Sequence, residues 1–293
     1  MCQTLLLRDK LIDWSLFIVL CLVWGSSFLL MKIGMESLSP YQVATIRILS
    51  AGLVLIPFAA KAFQQVPKKK LGLVILSGLL GNFFPAYLFC LAETKIDSSF
   101  SGMLNSFTPL FTAIIGILFF QMKAGFKKIA GVVVGLIGLC LLVAPGGSIG
   151  LTYFSYVVLI IIATIFYAVN VNMVGKYLQG LGSLNIAAVA FVCLVIPCLV
   201  ILFCTGYFSL RMSQPMLVST GASCVLGIMG TAVATVLYYI LVKRAGALFA
   251  SMVTYGIPFV ALLWGVLYGE HITLFEVACL GIMLVGVYLS GKK

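Results

Sequence analysis

Charged side chains are scarce in this sequence, which carries 9% Asp, Glu, Lys and Arg, where soluble globular proteins carry about 25%. Apolar residues make up 63% of the chain, and the mean hydropathy is +1.23. Apolar runs of about 18 residues or more are typical of transmembrane helices, and such runs fill nearly the whole sequence. The weak alternating segments of a membrane β-barrel are absent. The sequence therefore excludes a water-soluble protein and predicts an all-α integral membrane protein.

The sequence also lacks the residue sets on which metal binding and covalent catalysis usually depend. It has a single histidine, His271, and its nine cysteines form no C-x-x-C pair, which argues against a zinc site and a disulfide framework. The seven acidic residues lie mostly in loops or at span ends and do not converge. A Gly-rich phosphate-binding motif with lysine is absent as well. We therefore expect no cofactor, no metal, no ATP hydrolysis by this chain alone and no enzymatic activity.

The net charge of +11 is spread over short loops rather than gathered in a nucleic-acid-binding patch. With a cytoplasmic N-terminus, fourteen basic residues lie inside, Lys32, Lys95 and Arg211 lie outside, and Arg47 lies within a span. An excess of Lys and Arg in cytoplasmic loops is the usual topology signal of membrane proteins. The distribution predicts a multi-pass protein of the cell membrane with both termini cytoplasmic and no nucleic-acid partner. The fourteen are Arg8, Lys10, Lys61, Lys68, Lys69, Lys70, Lys123, Lys127, Lys128, Lys176, Lys243, Arg244, Lys292 and Lys293.

Hydropathy predicts ten spans, with ends placed to within a few residues. The first half has five, at about Trp14–Gly34, Tyr41–Ala60, Leu71–Ala92, Ser98–Phe120 and Phe126–Ala144. The second half has five, at about Thr152–Val174, Leu184–Thr205, Met216–Leu241, Ala247–Leu267 and Thr273–Ser290. We expect the proline after Ser39 to lie in the first turn of the second span, with Ser39 as its cap.

One segment of the first half returns in the second half. Leu88–Gln121 aligns without a gap, over 34 positions, with Leu237–Glu270, 149 positions later. Chance similarity between apolar segments is the alternative, but the matched proline and the ungapped spacing favour a duplication. The identical pairs include Leu88 and Leu237, Phe100 and Phe249, Met103 and Met252, Pro109 and Pro258, Gly116 and Gly265, and Leu118 and Leu267.

The two predicted halves cover residues 14–145 and 151–290, joined by an uncharged Pro/Gly link at 145–150. Each half has an odd number of spans, so the second copy must cross the membrane in the opposite sense. Inverted repeats of this kind place a binding site at their interface, near the bilayer midplane. We therefore expect ten transmembrane helices arranged as two inverted five-helix repeats.

Amide side chains within spans must find partners or line a wet cavity, because hydrocarbon supplies no hydrogen bonds. We select Asn82, Asn105 and Asn170 as candidate solute-binding residues. Asn172 lies in the same span as Asn170. Hydrogen bonding between helices is the alternative for each of them.

Pro109 and Pro258 lie in the middle of apolar spans and are candidate hinges. A proline removes a backbone donor and clashes with the carbonyl four residues earlier, which belongs to Asn105 in one copy and to Thr254 in the other. We expect these carbonyls to be freed toward solute or water, and Thr254 joins the candidate site. A packed structural kink is the alternative for both prolines.

Arg47 is the ionisable residue within a span, and such a residue is a functional candidate by default. Snorkelling toward the outer headgroups, or pairing with Glu36 or Glu93, is the alternative to a solute carboxylate. The aromatic candidates for the site are Trp24, Tyr167, Tyr238 and Tyr255, for which interfacial anchoring and packing are the alternatives.

Glycines in the last span of each half allow close helix packing, either within the monomer or at a dimer contact. They are Gly131, Gly135 and Gly138 in the fifth span, and Gly281 and Gly286 in the tenth.

The sequence resembles the EamA family of the drug/metabolite transporter superfamily over about residues 14–290. The residues that carry the resemblance are Trp24-Gly25-Ser26-Ser27-Phe28, Arg47 within Thr45–Ala51, Phe107–Phe111 and Tyr255-Gly-Ile-Pro258 with Tyr268-Gly-Glu270. It implies a ten-helix inner-membrane carrier of two inverted repeats, in a family whose members mostly export amino acids and related metabolites by alternating access. Gln121 departs from the glutamate that the family often has in the first repeat, so a role of Glu270 is not duplicated here.

The leading hypothesis is a secondary transporter that exports a small polar or zwitterionic, amino-acid-like metabolite. Its partners are then the solute and the lipid bilayer, while proton coupling and a homodimer stay open. The alternatives are an intramembrane transferase-type enzyme, which lacks its acid, base or nucleophile here, and a channel or non-transport membrane scaffold.

Overall fold

A computed structural model describes residues 2–122, 125, 130–131, 133–135, 137–138, 141, 153–269 and 273–291. Within these ranges the secondary structure is helical and contains no β-strand. Eight of the described helices are long and apolar enough to cross a membrane. Many apolar side chains on their outer faces are exposed, among them Ile196, Phe203 and Leu263, as expected for surfaces that contact lipid. The structure confirms an all-α membrane protein with several spans.

The eight spans run over Lys10–Met35, Pro40–Gln65, Lys68–Ala92, Ser98–Phe120, Phe154–Tyr177, Ser183–Cys204, Gln214–Ala245 and Ala247–Leu267. Four of them are single helices: α1 (Cys2–Met35), α2 (Pro40–Gln65), α7 (Phe154–Tyr177) and α8 (Ser183–Cys204). Two are pairs joined by one or two residues: α5 (Ser98–Asn105) with α6 (Thr108–Phe120), and α11 (Ala247–Ser251) with α12 (Val253–Leu267).

The other two spans each contain a π-helical stretch. The first π segment, Leu79–Phe83, joins α3 (Lys68–Gly78) to α4 (Phe84–Ala92). The second π segment, Leu226–Val233, joins α9 (Gln214–Val225) to α10 (Ala234–Ala245). A short 3₁₀ turn, Tyr207–Ser209, lies in the loop before α9.

Of the two remaining predicted spans, the structure describes the tenth but only part of the fifth. Most of 126–144 lies outside the described residues, although residues 130–131, 133–135, 137–138 and 141 are helical. The tenth predicted span is the helix α13 (Leu274–Gly291), whose apolar stretch Val277–Gly286 is shorter than the eight spans above. The count of ten spans and their inverted arrangement therefore stay predictions.

The start of α2 agrees with the prediction from its sequence. Ser39 is the cap: its hydroxyl accepts from the Gln42 amide at 3.3 Å, and the Gln42 side chain accepts from the Ser39 amide at 2.9 Å. Pro40 lies in the first turn, where its missing N–H costs nothing. This reciprocal capping satisfies two backbone donors at the mouth of the bundle.

Helices of the first half pack directly against helices of the second, and glycines allow their close approach. A Cβ on Gly52 of α2 would lie 2.6 Å from Val195 Cγ2 and 2.8 Å from the Phe191 carbonyl oxygen, both in α8. A Cβ on Gly256 of α12 would lie 2.9 Å from Cys21 Cβ of α1. The two halves therefore share one core rather than forming separate bundles.

Gly286 of the last span in the second half packs within the monomer, against glycines of the last span in the first half. A Cβ on Gly286 would lie 2.6 Å from the Gly131 carbonyl oxygen and 2.8 Å from Gly135 Cα. A Cβ on Gly281 would meet nothing within 4 Å, and this residue is exposed. The intramolecular alternative is confirmed for Gly286, and a homodimer through Gly281 stays a prediction.

Basic residues that the charge distribution assigns to the cytoplasm make contacts at helix ends. Arg244, near the end of α10, forms an ion pair with Asp13 of α1 at 2.6 Å. Lys176 Nζ donates to the Phe120 carbonyl at 3.1 Å and Lys70 Nζ to the Tyr177 carbonyl at 3.0 Å, while Lys243 Nζ donates to the Leu181 carbonyl. Lysines near helix C-termini satisfy carbonyls that have no partner within the helix.

Candidate functional site

A cavity lies between the two halves, with about 710 Å³ of empty space that includes its opening to solvent. Helices of both halves contribute to the lining, so the cavity occupies the interface at which the sequence predicts a site. Its lining residues are Trp24, Ser27, Phe28, Met31, Arg47, Gly81, Asn82, Phe89, Asn105, Thr108, Tyr167, Asn170, Thr235, Tyr238, Tyr239, Thr254 and Ile257.

Arg47 is the one charged side chain among these lining residues. It lies in the eighth position of the 26-residue helix α2 and is 7% exposed. Its Nε donates to Thr231 Oγ1 at 2.7 Å, and its Nη1 lies 3.8 Å from Met31 Sδ, a weak acceptor. Within the described part of the chain it forms no ion pair, and neither Glu36 nor Glu93 is a partner. A guanidinium has five donors, so most of its hydrogen-bonding capacity remains available to the cavity.

Three carboxamides line the cavity, each held by a hydroxyl group. Thr108 Oγ1 donates to Asn105 Oδ1 at 3.3 Å, and Thr235 Oγ1 donates to Asn82 Oδ1 at 3.2 Å. Asn170 Nδ2 donates to the Tyr239 hydroxyl at 3.3 Å.

The carbonyl oxygen of the Asn170 side-chain amide, Oδ1, is buried and has no hydrogen-bond partner within the described residues. A buried acceptor without a partner costs free energy, and this one belongs to a residue that lines the cavity. A donor on a bound solute would satisfy it.

Aromatic rings form the apolar part of the wall in two pairs, and each pair joins the two halves. Trp24 of α1 meets Tyr238 of α10 edge to face, with ring centroids 5.0 Å apart. Tyr167 of α7 stacks on Phe89 of α4 at 6.1 Å. The indole nitrogen of Trp24 donates to the Gly230 carbonyl at 2.9 Å, so this ring is fixed at both ends.

Eight of the nine predicted solute-binding residues line this cavity: Trp24, Arg47, Asn82, Asn105, Tyr167, Asn170, Tyr238 and Thr254. Tyr255 is the exception. It is buried, at 8% exposure, but is not part of the lining. Asn172, which was not selected, donates to the Thr112 and Ala168 carbonyls at 3.0 and 2.9 Å and so links α7 to α6. The solute-binding role of the nine selected residues stays a prediction.

The two candidate hinge prolines follow breaks in their spans. The backbone is interrupted at Ser106 and Phe107 in one copy and at Met252 in the other. Pro109 lies in the first turn of α6, whereas Pro258 lies inside α12.

The carbonyls opposite these prolines accept hydrogen bonds from hydroxyl groups of the protein. The Asn105 carbonyl accepts from Thr108 Oγ1 at 2.9 Å, and the Thr254 carbonyl accepts from Ser106 Oγ at 3.2 Å. The second bond connects the two halves of the chain, because Ser106 belongs to the first and Thr254 to the second. A carbonyl has two lone pairs, so each retains one further site for a solute or water.

Several lining residues escaped selection from the sequence although their spacing carried a signal. Ser27, Phe28 and Met31 follow Trp24 at three, four and seven positions, which is one face of a helix. Thr235 lies three and four positions before Tyr238 and Tyr239, which is one turn of α10. The other unselected lining residues are Gly81, Phe89, Thr108 and Ile257.

The profile of the EamA-like transporter family matches two stretches of the chain, residues 13–144 and 154–291. The chain belongs to this family. Its membership accounts for the broad features of the fold, since the apolar helices and the cavity between them are those of a membrane transporter.

Relatives match along nearly the whole length of the chain. An uncharacterized transporter of Archaeoglobus fulgidus is 25% identical over 281 residues, which is 96% of this chain and 99% of the relative. The uncharacterized inner membrane transporter YedA of Escherichia coli K12 is 26% identical over 285 residues, 96% of this chain and 91% of that protein. Both names point to transport rather than enzymatic catalysis.

Two further comparisons support less, one because it covers less than half of each chain and the other because its sequence identity is low. A probable amino-acid metabolite efflux pump of Escherichia coli K12 is 26% identical over 132 residues, 45% of this chain and 42% of the pump. A solved crystal structure superimposes with a TM-score of 0.66 at 14% identity and covers 97% of this chain and 96% of its own. At that identity the superposition supports the fold alone.

Proposed function

We propose that this family member is a secondary transporter that exports a small, polar, amino-acid-like metabolite by alternating access between its two halves. The observation that carries the proposal is the guanidinium of Arg47 in the cavity wall. It has no carboxylate partner among the described residues and shares the cavity with carboxamides, hydroxyl groups and aromatic rings.

The solute's carboxylate would pair with Arg47. A buried charge without an ionic partner is costly in hydrocarbon surroundings, and arginine forms paired hydrogen bonds with a carboxylate through its planar fork. Thr231 occupies only the Nε of Arg47, so the terminal nitrogens would make these bonds.

The rest of the solute would contact the amides and the aromatic wall. The unpartnered Asn170 Oδ1 would accept from an ammonium or hydroxyl group. Asn82 and Asn105 offer further amide groups, and the Trp24–Tyr238 pair offers an apolar surface for a side chain. This mixture of groups suits a small molecule that is charged at one end and apolar at the other.

Alternating access would use the helix breaks in the two proline-containing spans. The break at Ser106 and the break at Met252 lie close to the cavity, where Asn105 and Thr254 line the wall. Hinges usually lie at element ends that absorb a change in backbone angles. Pro109, in the first turn of α6, keeps the break before it from closing into a continuous helix.

The direction of transport is proposed from the relatives. One of them is named a probable amino-acid metabolite efflux pump, and export is therefore the direction to test first. Residues assigned to the cytoplasm by their charge would then face the side from which the solute is collected, with both termini on that side of the inner membrane.

The test uses purified protein in liposomes loaded with a panel of labelled amino acids and related metabolites. Efflux is followed with and without a pH gradient for wild type, Arg47→Gln and Asn105→Ala. Arg211→Gln is the matched control, because Arg211 is exposed in a loop. We expect saturable efflux of one chemical class, loss of most of that efflux with Arg47→Gln, weakened efflux with Asn105→Ala, and no change with Arg211→Gln.

The other outcomes separate the alternatives. Flux that never saturates would identify a channel. Saturable efflux that Arg47→Gln leaves unchanged would keep the carrier and reject this site. An effect of the pH gradient on the wild-type rate would show proton coupling, and no efflux of any solute would contradict the proposal and favour a scaffold.

A further inference from the structure

The two π segments occupy matched positions in the two repeats. At the 149-residue spacing that relates Leu88 to Leu237, the first π segment (79–83) maps onto 228–232, inside the second π segment. Glycines in or next to the π segments match as well: Gly78 corresponds to Gly227, and Gly81 to Gly230. A π-helical turn inside a longer helix is rare and often marks a functional position. Here the π turn occurs at the same position of both repeats, so it belongs to the repeated unit.

Side chains of the first half donate hydrogen bonds to the second π segment. Trp24 of α1 donates to the Gly230 carbonyl at 2.9 Å, and Arg47 of α2 donates to Thr231 Oγ1 at 2.7 Å. Thr231 Oγ1 in turn donates to the Leu226 carbonyl, five residues earlier, at 3.2 Å. These bonds stabilise the π geometry, because they occupy a carbonyl and a hydroxyl at its centre.

Residues of the second half in turn contact the first π segment. Thr235 Oγ1 donates to Asn82 Oδ1 at 3.2 Å. The backbone of Gly81 lies against Asn170, so that a Cβ on residue 81 would overlap Asn170 Nδ2. The matched glycine, Gly230, lies against Ser27, with a Cβ position 2.8 Å from Ser27 Oγ. Each π segment is thus held by residues of the opposite repeat that also line the cavity.

We infer that Thr231 is a positioning residue for Arg47, and that the Arg47–Thr231 hydrogen bond couples solute binding to the second π segment. The inference rests on the proposed function, since it assigns the consequence of a solute carboxylate reaching Arg47. The carboxylate would bind the terminal nitrogens and neutralise the charge of the guanidinium, which weakens the charge-assisted hydrogen bond from Nε to Thr231 Oγ1.

The consequence for the site follows from helix geometry. A π turn contains one residue more than an α turn, and one residue corresponds to about 100° of rotation in an α-helix. A shift between the two geometries at Leu226–Val233 would turn α10, which carries Thr235, Tyr238 and Tyr239 in the cavity wall. Solute binding at α2 would therefore change the wall on the opposite half.

The test compares Thr231→Val with Thr231→Ser in the full-length protein. Valine keeps the shape of threonine and removes the acceptor, whereas serine keeps the hydroxyl group. Hydrogen–deuterium exchange is measured over peptides that cover 226–233, with and without a mixture of the common protein amino acids. The same mixture is used for efflux from liposomes.

We expect Thr231→Val to speed exchange over 226–233 about tenfold without solute, since a hydrogen bond to a charged group is lost. The amino-acid mixture should speed exchange in the wild type and leave Thr231→Val unchanged. In efflux, Thr231→Val should lower both KM and the maximal rate, because Arg47 then has the solute as its main partner and releases it slowly. Thr231→Ser should behave as the wild type in both measurements.

A structural role alone would predict a lower maximal rate with an unchanged or higher KM, and such a result would overturn the inference. Equal exchange in wild type and Thr231→Val without solute would overturn it as well. If the wild type shows neither efflux nor a response in exchange to the mixture, the proposed function and the inference fail together. If the wild type transports solute and the variants do not differ from it, the inference fails and the proposed transport function is retained.

Discussion

Trp24 and Tyr238 meet edge to face across the cavity, with ring centroids 5.0 Å apart, and the indole nitrogen donates to the Gly230 carbonyl at 2.9 Å. The pair is mirrored by Tyr167 and Phe89, which stack at 6.1 Å. Phe89 and Tyr238 are 149 positions apart, the spacing of the sequence repeat. In each pair one ring comes from a helix of the first half and the other from a helix of the second, and Phe89 and Tyr238 occupy matched positions of the two halves.

Trp24→Phe should slow solute efflux about fivefold while the protein remains folded. The substitution keeps an aromatic ring beside Tyr238 but removes the donor to the Gly230 carbonyl, a bond worth about 1 kcal/mol. Trp14→Phe is the matched control, since Trp14 lies in the first half of α1 and is 53% exposed. The measurement is the initial rate of efflux from liposomes, and equal rates for Trp24→Phe and wild type would show that the hydrogen bond is dispensable.

Gly81→Ala should weaken solute binding, because a Cβ on residue 81 overlaps Asn170 Nδ2 and must move that amide. Gly72→Ala is the control: it lies in α3, the helix that leads into the first π segment, and an added Cβ there meets nothing within 4 Å. We expect KM for efflux to rise at least about tenfold with Gly81→Ala and to stay at the wild-type value with Gly72→Ala. Similar KM values for both variants would show that the position of Asn170 does not matter for binding.

Asn170 and Asn172 should separate into a binding residue and a structural one. Asn170→Ala removes a cavity amide, so KM should rise while the midpoint of thermal unfolding stays close to that of the wild type. Asn172→Ala breaks the bonds to the Thr112 and Ala168 carbonyls and should lower the unfolding midpoint, at a cost of about 1–3 kcal/mol for the unsatisfied groups. KM should stay unchanged for Asn172→Ala, and a reversed pattern would contradict the assignment of both residues.

Sequence reasoning located the cavity because polar groups are rare in apolar spans, and those that occur must have a partner. Asn82, Asn105, Asn170 and Arg47 were found on this ground, and the structure brings all four to one cavity. Tyr255 was selected with them but lies outside the lining. Thr254 and Ile257, three positions apart, form the inward face of α12, and Tyr255 lies about 100° away from Thr254 around the helix. Residue type alone does not specify which of two neighbouring positions faces inward.

The π segments were also beyond sequence reasoning. Gly78 and Gly81, like Gly227 and Gly230, look like ordinary packing glycines in apolar helices. The π geometry depends on bonds from distant residues, such as the one from Arg47 to Thr231, and local propensity does not encode these. The matched glycines become informative once the repeat is extended upstream of Leu88.

The predicted topology can be tested with single cysteine substitutions at two exposed positions. Lys69 is assigned to the cytoplasm and Arg211 to the outside by the charge distribution, and both side chains are exposed. A membrane-impermeant maleimide added to intact cells should label Arg211→Cys and leave Lys69→Cys unlabelled until the membrane is permeabilised. Mass spectrometry of the labelled peptide separates these sites from native Cys204, and the opposite pattern would place both termini outside.

Gly286→Ala should destabilise the protein, because the added Cβ would lie 2.6 Å from the Gly131 carbonyl oxygen, a backbone atom that cannot move aside cheaply. Overpacking of this kind costs about 1–3 kcal/mol. Gly281→Ala lies in the same helix, α13, where an added Cβ meets nothing within 4 Å, and it should be neutral or slightly stabilising because alanine favours helix. Thermal unfolding in detergent gives the comparison. If Gly286→Ala instead left the unfolding midpoint unchanged and Gly281→Ala altered the oligomeric state, α13 would act as a contact between copies of the chain rather than as a lock between its two halves.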